Sequence, residues 1–288
     1  MVDTFTKILK IAGGLLGFLG IIFVVFRLGE YTTQIGVADF GLKKWAWIAC
    51  LILIYCLANT LLALAWLHLM AFLGEFIDLN WAVQIYGRSQ LARYIPGNVF
   101  HLAGRQALGM ANGLPGWVLA KSAVWEIGMI IAAGIPFGVL ALPFYWTGFS
   151  IWLALFLFFL LFGGMALFLR RQSPFLAYAF VFQGLFLVVS GCVFAGILSI
   201  IMPDTMTLLW LPAFCGAYVA AWLVGFVTPG APAGAGIREL VLLFLLSNHV
   251  AEATLLLAVV IGRMVTIFGD LLFFVIVTLI AAGAKNKT

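Results

Sequence analysis

The chain predicts an all-α fold, a polytopic membrane helix bundle of about 8 membrane segments at roughly 20 apolar residues per crossing. Its 288 residues are 65% hydrophobic and 9% charged, with a mean hydropathy of +1.20. A soluble domain carries about 25% charged residues, so little of this chain lies outside a membrane. The apolar runs are continuous rather than alternating, which excludes a membrane β-barrel. No soluble catalytic domain fits in what the runs leave over. The net charge of +5 comes from Lys and Arg at segment ends. It forms no solvated patch for nucleic acid and suits loops facing anionic headgroups.

The elements follow in chain order. Lys7 and Lys10 precede an apolar run over 8–28. This run is too long for a signal peptide and has no small-residue cleavage site, so it predicts an uncleaved first helix. Further spanning helices are expected over 45–74, 117–142, 149–169, 175–202, 207–227 and 252–283. Two stretches break this pattern. Residues 75–116 mix Glu75, Asp78, Arg88, Arg93 and Arg105 with aromatic residues, and predict an amphipathic helix, a turn and a short helix near 98–111. Residues 228–247 predict a turn and a short apolar helix of about eleven residues, rising about 16 Å, roughly half of a hydrocarbon core. The whole of 1–288 reads as one integral membrane domain.

Basic stations at Lys7 and Lys10, at Arg88, Arg93 and Arg105, at Arg170 and Arg171, and at Lys285 and Lys287 favour cytoplasmic termini. Lys43 and Lys44 run against that pattern. If 237–247 pairs with a neighbouring break it completes a crossing; if it dips and returns, the C-terminus is outside. Trp45, Trp47, Trp81, Trp117, Trp146 and Trp210 lie near segment ends, as interfacial belts do.

The two irregular stretches share a motif. Pro96-Gly97 and Pro229-Gly230 are each followed by an arginine nine residues after the proline, Arg105 and Arg238. Proline removes a backbone donor and glycine permits unusual dihedrals, so each pair predicts an elbow that breaks a helix. Broken backbone and guanidinium groups are costly beside apolar runs unless they line a protected, wet site. The segments 93–105 and 228–239 thus suggest an internal repeat, parallel if four spans separate them and inverted if the short helices add an odd crossing.

The chemistry of these residues points to an anion. A helix N-terminus exposes N–H donors, and arginine adds a bidentate fork suited to phosphate or carboxylate. Glu126, Glu239, Arg263 and Asp270 are ionisable residues inside apolar segments, and such residues default to functional roles with named partners. Arg263 and Asp270, seven residues apart, share one helical face. Arg263 is expected to pair with Asp270, Glu126 or Glu239. The candidate substrate-binding set is therefore Arg93, Pro96, Gly97, Arg105, Glu126, Pro229, Gly230, Arg238, Glu239, Arg263 and Asp270. The competing structural reading is a set of buried ion pairs and of arginines, Arg88 and Arg93 above all, reaching to the interface. Glu126 or Glu239 carrying a proton is a further alternative.

No catalytic residue, cofactor or metal is predicted. Cys50, Cys56, Cys192 and Cys215 are scattered through apolar runs and read as small buried hydrophobes. His68, His101 and His249 are too dispersed for a ligand cluster. There is no phosphate-loop, nucleophile-elbow or dinucleotide pattern, and Gly234-Ala235-Gly236 lacks the preceding strand such loops need.

The run Arg93-Tyr94-Ile95-Pro96-Gly97 with Arg105, then Glu126, then Pro229-Gly230 through Gly236-Ile237-Arg238-Glu239, then Arg263, resembles the lysylphosphatidylglycerol synthase transmembrane-region family. The resemblance covers nearly the whole chain in order, on short motifs. It implies a polytopic helical domain that flips lipid between leaflets, a membrane lipid with an anionic headgroup as partner, and a bacterial or archaeal plasma membrane with the N-terminus cytoplasmic. The second elbow departs from the family form, with an added Pro232 and a longer spacing. The chain ends at Thr288 with no soluble aminoacyl-transferase domain, so it is expected not to be an enzyme. The expected function is translocation of a phosphate-bearing or glycan-linked lipid. The alternatives are an accessory or scaffold for an envelope glycosyltransferase partner, and a membrane-embedded glycosyl- or phospho-transferase.

Overall fold

The computed structural model describes residues 41–94, 100–146, 148–202, 207–228 and 237–285. The predicted helix over 8–28 and both elbows, Pro96-Gly97 and Pro229-Gly230, lie outside these residues. Everything described is helix, turn or coil. The helices are α1 (Leu42–Phe72), α2 (Leu79–Gln90), α3 (Phe100–Ala111), α4 (Gly116–Gly134), α5 (Phe137–Ala141), α6 (Ile151–Gln172), α7 (Pro174–Ile201), α8 (Leu211–Val227), α9 (Ile237–Leu246) and α10 (Glu252–Lys285). Among the described residues, six segments are long and apolar enough to cross a membrane: Leu42–Phe72, Gly116–Phe144, Ile151–Gln172, Pro174–Ile201, Leu208–Val227 and Glu252–Gly283. The chain is an integral membrane helical bundle. The expected count of about 8 segments exceeds these six; of the two others expected, the 8–28 run lies outside the described residues and the other is expected from the short 237–247 segment paired with a neighbouring break.

Local chemistry sets the boundaries. The Asp78 carboxylate accepts from the backbone N–H of Asn80 at 2.8 Å and of Trp81 at 3.2 Å, capping α2. Ser173 caps α7 ahead of Pro174, a residue whose missing N–H costs nothing in the first turn. Gly74 (φ 91°) and Gly113 (φ 90°) stop α1 and α3 in the left-handed conformation. Each stop is closed by a backbone bond spanning five residues, Glu75 N–H to Met70 O at 3.0 Å and Leu114 N–H to Gly109 O at 3.1 Å.

α7 is the central helix. It packs along α1 and also touches α4, α6, α8 and α10, while α10 adds contacts to α1, α2 and α9. With no hydrophobic drive between helices in lipid, close van der Waals packing holds them, and small residues permit it. A Cβ on Gly269 would lie 2.7 Å from the Tyr55 ring of α1, and one on Gly216 of α8 would lie 2.6 Å from the Phe137 carbonyl oxygen. Backbone cannot yield there as a flexible side chain can. Gly216→Val should therefore force α8 and α5 apart, at about 1–3 kcal/mol for overpacking. Thermal unfolding in detergent should show the loss, and an unchanged midpoint would mean that the two helices are not in this contact.

The outer surface is apolar. α6 turns Phe156, Phe159 and Phe168 outward, 56–66% exposed, as lipid-facing residues do. Trp45, Trp47, Trp117, Trp146 and Trp210 are exposed as an interfacial belt requires. Trp81 departs from that expectation, because its ring stacks on buried Trp66 with centroids 6.2 Å apart. The interior, by contrast, holds Asn59, Gln90, Arg105, Glu126, Gln183, Arg238, Arg263 and Asp270, all buried.

Candidate functional site

Among the described residues, three ion pairs and one further arginine occupy the polar interior. The first pair joins α10 to the 3-10 turn Leu91–Tyr94 that ends α2. Asp270, fully buried, accepts from Arg93 Nη2 at 2.5 Å, from Asn59 Nδ2 at 3.0 Å and from the Tyr94 hydroxyl. Gln90 donates to the Asn59 amide oxygen at 3.1 Å, and Arg93 also donates to the Tyr55 hydroxyl at 2.8 Å. A buried carboxylate is tolerable only when its lone pairs are filled, and here three donors fill them.

The second pair is Arg105 of α3 with Glu126 of α4. The Tyr86 hydroxyl donates to the other Glu126 oxygen at 2.9 Å. The Arg105 guanidinium lies 3.8 Å from the Tyr86 ring centroid and 5.4 Å from that of Trp66, a cation held between aromatic faces. Trp66 is itself fixed by donation to Ser122 Oγ at 3.1 Å. The third pair is Arg263 of α10 with Glu239 of α9, where Arg263 Nε and Nη2 each lie 2.8 Å from one carboxylate oxygen.

Arg238 of α9 differs from these three. It is 4% exposed, and its bonded partner among the described residues is the Tyr218 hydroxyl, an uncharged group 3.3 Å from Nη1. Its Nε has no acceptor among the described residues. The guanidinium also sits 5.2 Å from the Tyr218 ring centroid.

All four groups meet around one partly enclosed cavity of about 780 Å³, its open mouth included. Arg93, Glu126, Arg238 and Arg263 lie on its walls with Tyr55, Tyr86, Tyr94 and His101. Trp222 and Phe226, stacked at 5.1 Å on α8, make an apolar side. Both short helices reach this space, α3 through His101 and α9 through Arg238.

Several sequence expectations are corrected by this geometry. Arg105 is not on the cavity wall; its clamp between Tyr86 and Trp66 sets it behind Glu126, which it orients. Arg263 and Asp270 share a helix face but do not pair, because seven residues of helix separate them by about 10 Å. Arg263 takes Glu239, one of the three partners expected for it, and Asp270 takes Arg93 instead. Arg93 does not reach outward to the interface; its side chain is 15% exposed and turned to Asp270. Cys50 and Cys192 are exposed rather than buried, and Cys192 lies 3.8 Å from Cys215, sulfur to sulfur. Pro96, Gly97, Pro229 and Gly230 lie outside the described residues.

The sequence reading missed Tyr55, Asn59, Tyr86, Gln90, Tyr94 and Tyr218. A signal for four of them exists. Tyr55 and Asn59, like Tyr86 and Gln90, stand four residues apart on one face of a helix. Polar groups so placed in an apolar element need partners. Among the described residues no group of three His, Cys, Asp or Glu is placed to hold a metal ion. Comparison with protein-family models and with curated proteins gives no match.

Proposed function

We propose that this protein carries a lipid with a phosphate-bearing or glycan-linked headgroup between membrane leaflets, as its resemblance to the lysylphosphatidylglycerol synthase transmembrane region suggests. The observation that supports this most is a buried, incompletely bonded arginine on the wall of a cavity inside an apolar helix bundle. An arginine is expensive at membrane depth and is kept there when it meets a counter-charge or lines a wet path. The headgroup would enter the cavity while its acyl chains stay in the bilayer. α3, with 12 residues, and α9, with 10, would each cross about half of the hydrocarbon, at 1.5 Å per residue. In this reading the two together would supply one broken crossing and the 8–28 run another, which beside the six long helices would make eight segments, in a plasma membrane with the N-terminus cytoplasmic.

Purified protein in liposomes should accelerate leaflet exchange of a short-chain fluorescent phosphatidylglycerol at least tenfold over protein-free liposomes. Exchange at the protein-free rate, for this lipid and for a polyprenyl phosphate alike, would contradict the proposal.

A further inference from the structure

The charges around the cavity add up unevenly, and the remainder specifies a ligand. Asp270 answers Arg93, Glu126 answers Arg105, and Glu239 answers Arg263, each through a direct ion pair. Arg238 meets a phenol hydroxyl in place of a carboxylate. Four arginines against three carboxylates thus leave one positive charge among the described residues, located at a guanidinium 4% exposed, on a residue that lines the cavity and whose buried Nε has no acceptor among the described residues. Taking a single ion into a low-dielectric site is costly unless it is compensated. A ligand bearing one negative charge brings the site to neutrality. A ligand bearing two leaves a net negative site, and a zwitterion leaves the positive one.

We infer that the cavity selects a headgroup of net charge minus one, a phosphodiester, over a phosphate monoester or diphosphate and over a zwitterionic phosphodiester, with Arg238 as the residue that sets this preference. A phosphodiester presents two non-bridging oxygens to the guanidinium fork of Arg238, while the paired Arg93 and Arg263 are already held by carboxylates. The stacked Trp222 and Phe226 offer the apolar part of the headgroup a flat wall. This selectivity rests on the lipid-carrier reading for its source of ligand, though the charge rule itself applies to any phosphodiester.

The test is competition in nanodiscs of phosphatidylcholine at pH 8, where a phosphate monoester is a dianion. A fluorescent dioctanoyl phosphatidylglycerol is the probe. Unlabelled dioctanoyl phosphatidylglycerol should displace it at least tenfold better than dioctanoyl phosphatidic acid or dioctanoyl phosphatidylcholine. In Arg238→Gln the site becomes neutral, so phosphatidylglycerol should lose at least tenfold while phosphatidylcholine changes little. Arg238→Lys, which keeps the charge, should keep the order and shows that the fold survives a change there. Equal or stronger displacement by phosphatidic acid, or an order unchanged in Arg238→Gln, would overturn the inference while leaving lipid carriage intact. Displacement by water-soluble glycerophosphoglycerol as strong as by its lipid would support the charge rule and count against a lipid carrier. Failure of every phosphodiester to bind would sink both.

Discussion

Arg238→Ala should reduce protein-dependent lipid exchange at least tenfold while leaving the fold nearly as stable as before. The asymmetry comes from what the substitution leaves behind. Removing one member of a buried ion pair strands its partner, at about 3–5 kcal/mol. Arg238 strands no carboxylate of its own, because its bonded partner is the Tyr218 hydroxyl, and Tyr218 remains packed on Phe194 at 4.8 Å. Glu239, next in the chain, keeps Arg263. The thermal midpoint in detergent should therefore move little while exchange in liposomes falls. Equal exchange by wild type and Arg238→Ala would show that the cavity arginine has no part in transport. A large drop in midpoint would show instead that Arg238 serves the fold.

Asp270→Ala should do the opposite and unfold the centre of the bundle. Arg93 would lose its counter-charge, and Tyr94 and Asn59 would each lose a buried acceptor. A stranded buried charge alone costs about 3–5 kcal/mol, a large part of the 5–15 kcal/mol that holds a typical protein folded. The double variant Arg93→Met with Asp270→Leu should recover much of that loss, since replacing both members of a buried pair by apolar groups is often neutral. Melting curves of the single and double variants decide the point. If the double variant is no more stable than Asp270→Ala alone, the two side chains do not act as a pair.

The contrast between these two residues also shows where sequence reasoning reaches and where it stops. Segment boundaries were legible: the run over 45–74 became Leu42–Phe72, and the short run over 237–247 became Ile237–Leu246. Such boundaries follow from local composition, since continuous apolar residues end at charge, proline or a glycine like Gly74 with φ 91°. The ionisable residues inside the membrane were legible too, because Glu126, Arg238, Glu239, Arg263 and Asp270 stand out against 65% hydrophobic composition. Their pairing was legible only in part, since Glu239 was one of three partners expected for Arg263 while Asp270 with Arg93 was not foreseen. Arg93 and Asp270 are 177 positions apart and meet only because α2 and α10 pack together. Helical periodicity placed Arg263 and Asp270 on one face but says nothing about which helix lies opposite.

Arg105 and Arg238 illustrate the same limit from the motif side. They hold equivalent positions nine residues after a proline, so the sequence assigns them one role. Their neighbours assign them two. Arg105 meets Glu126 through Nη1 and lies against the Tyr86 and Trp66 rings, so its charge is answered although its Nε and Nη2 have no acceptor among the described residues. Arg238 meets the Tyr218 hydroxyl in place of a carboxylate among the described residues. Two arginines in one sequence pattern thus sit in different surroundings, Arg105 beside a carboxylate and Arg238 beside a phenol.

A structure of the protein in nanodiscs containing phosphatidylglycerol tests the central claim most directly. Phosphate density is expected in the cavity, within hydrogen-bond distance of the Arg238 guanidinium and beside the Trp222–Phe226 wall. Arg238 instead answered by a carboxylate from elsewhere in the chain, with the cavity closed to lipid, would contradict it.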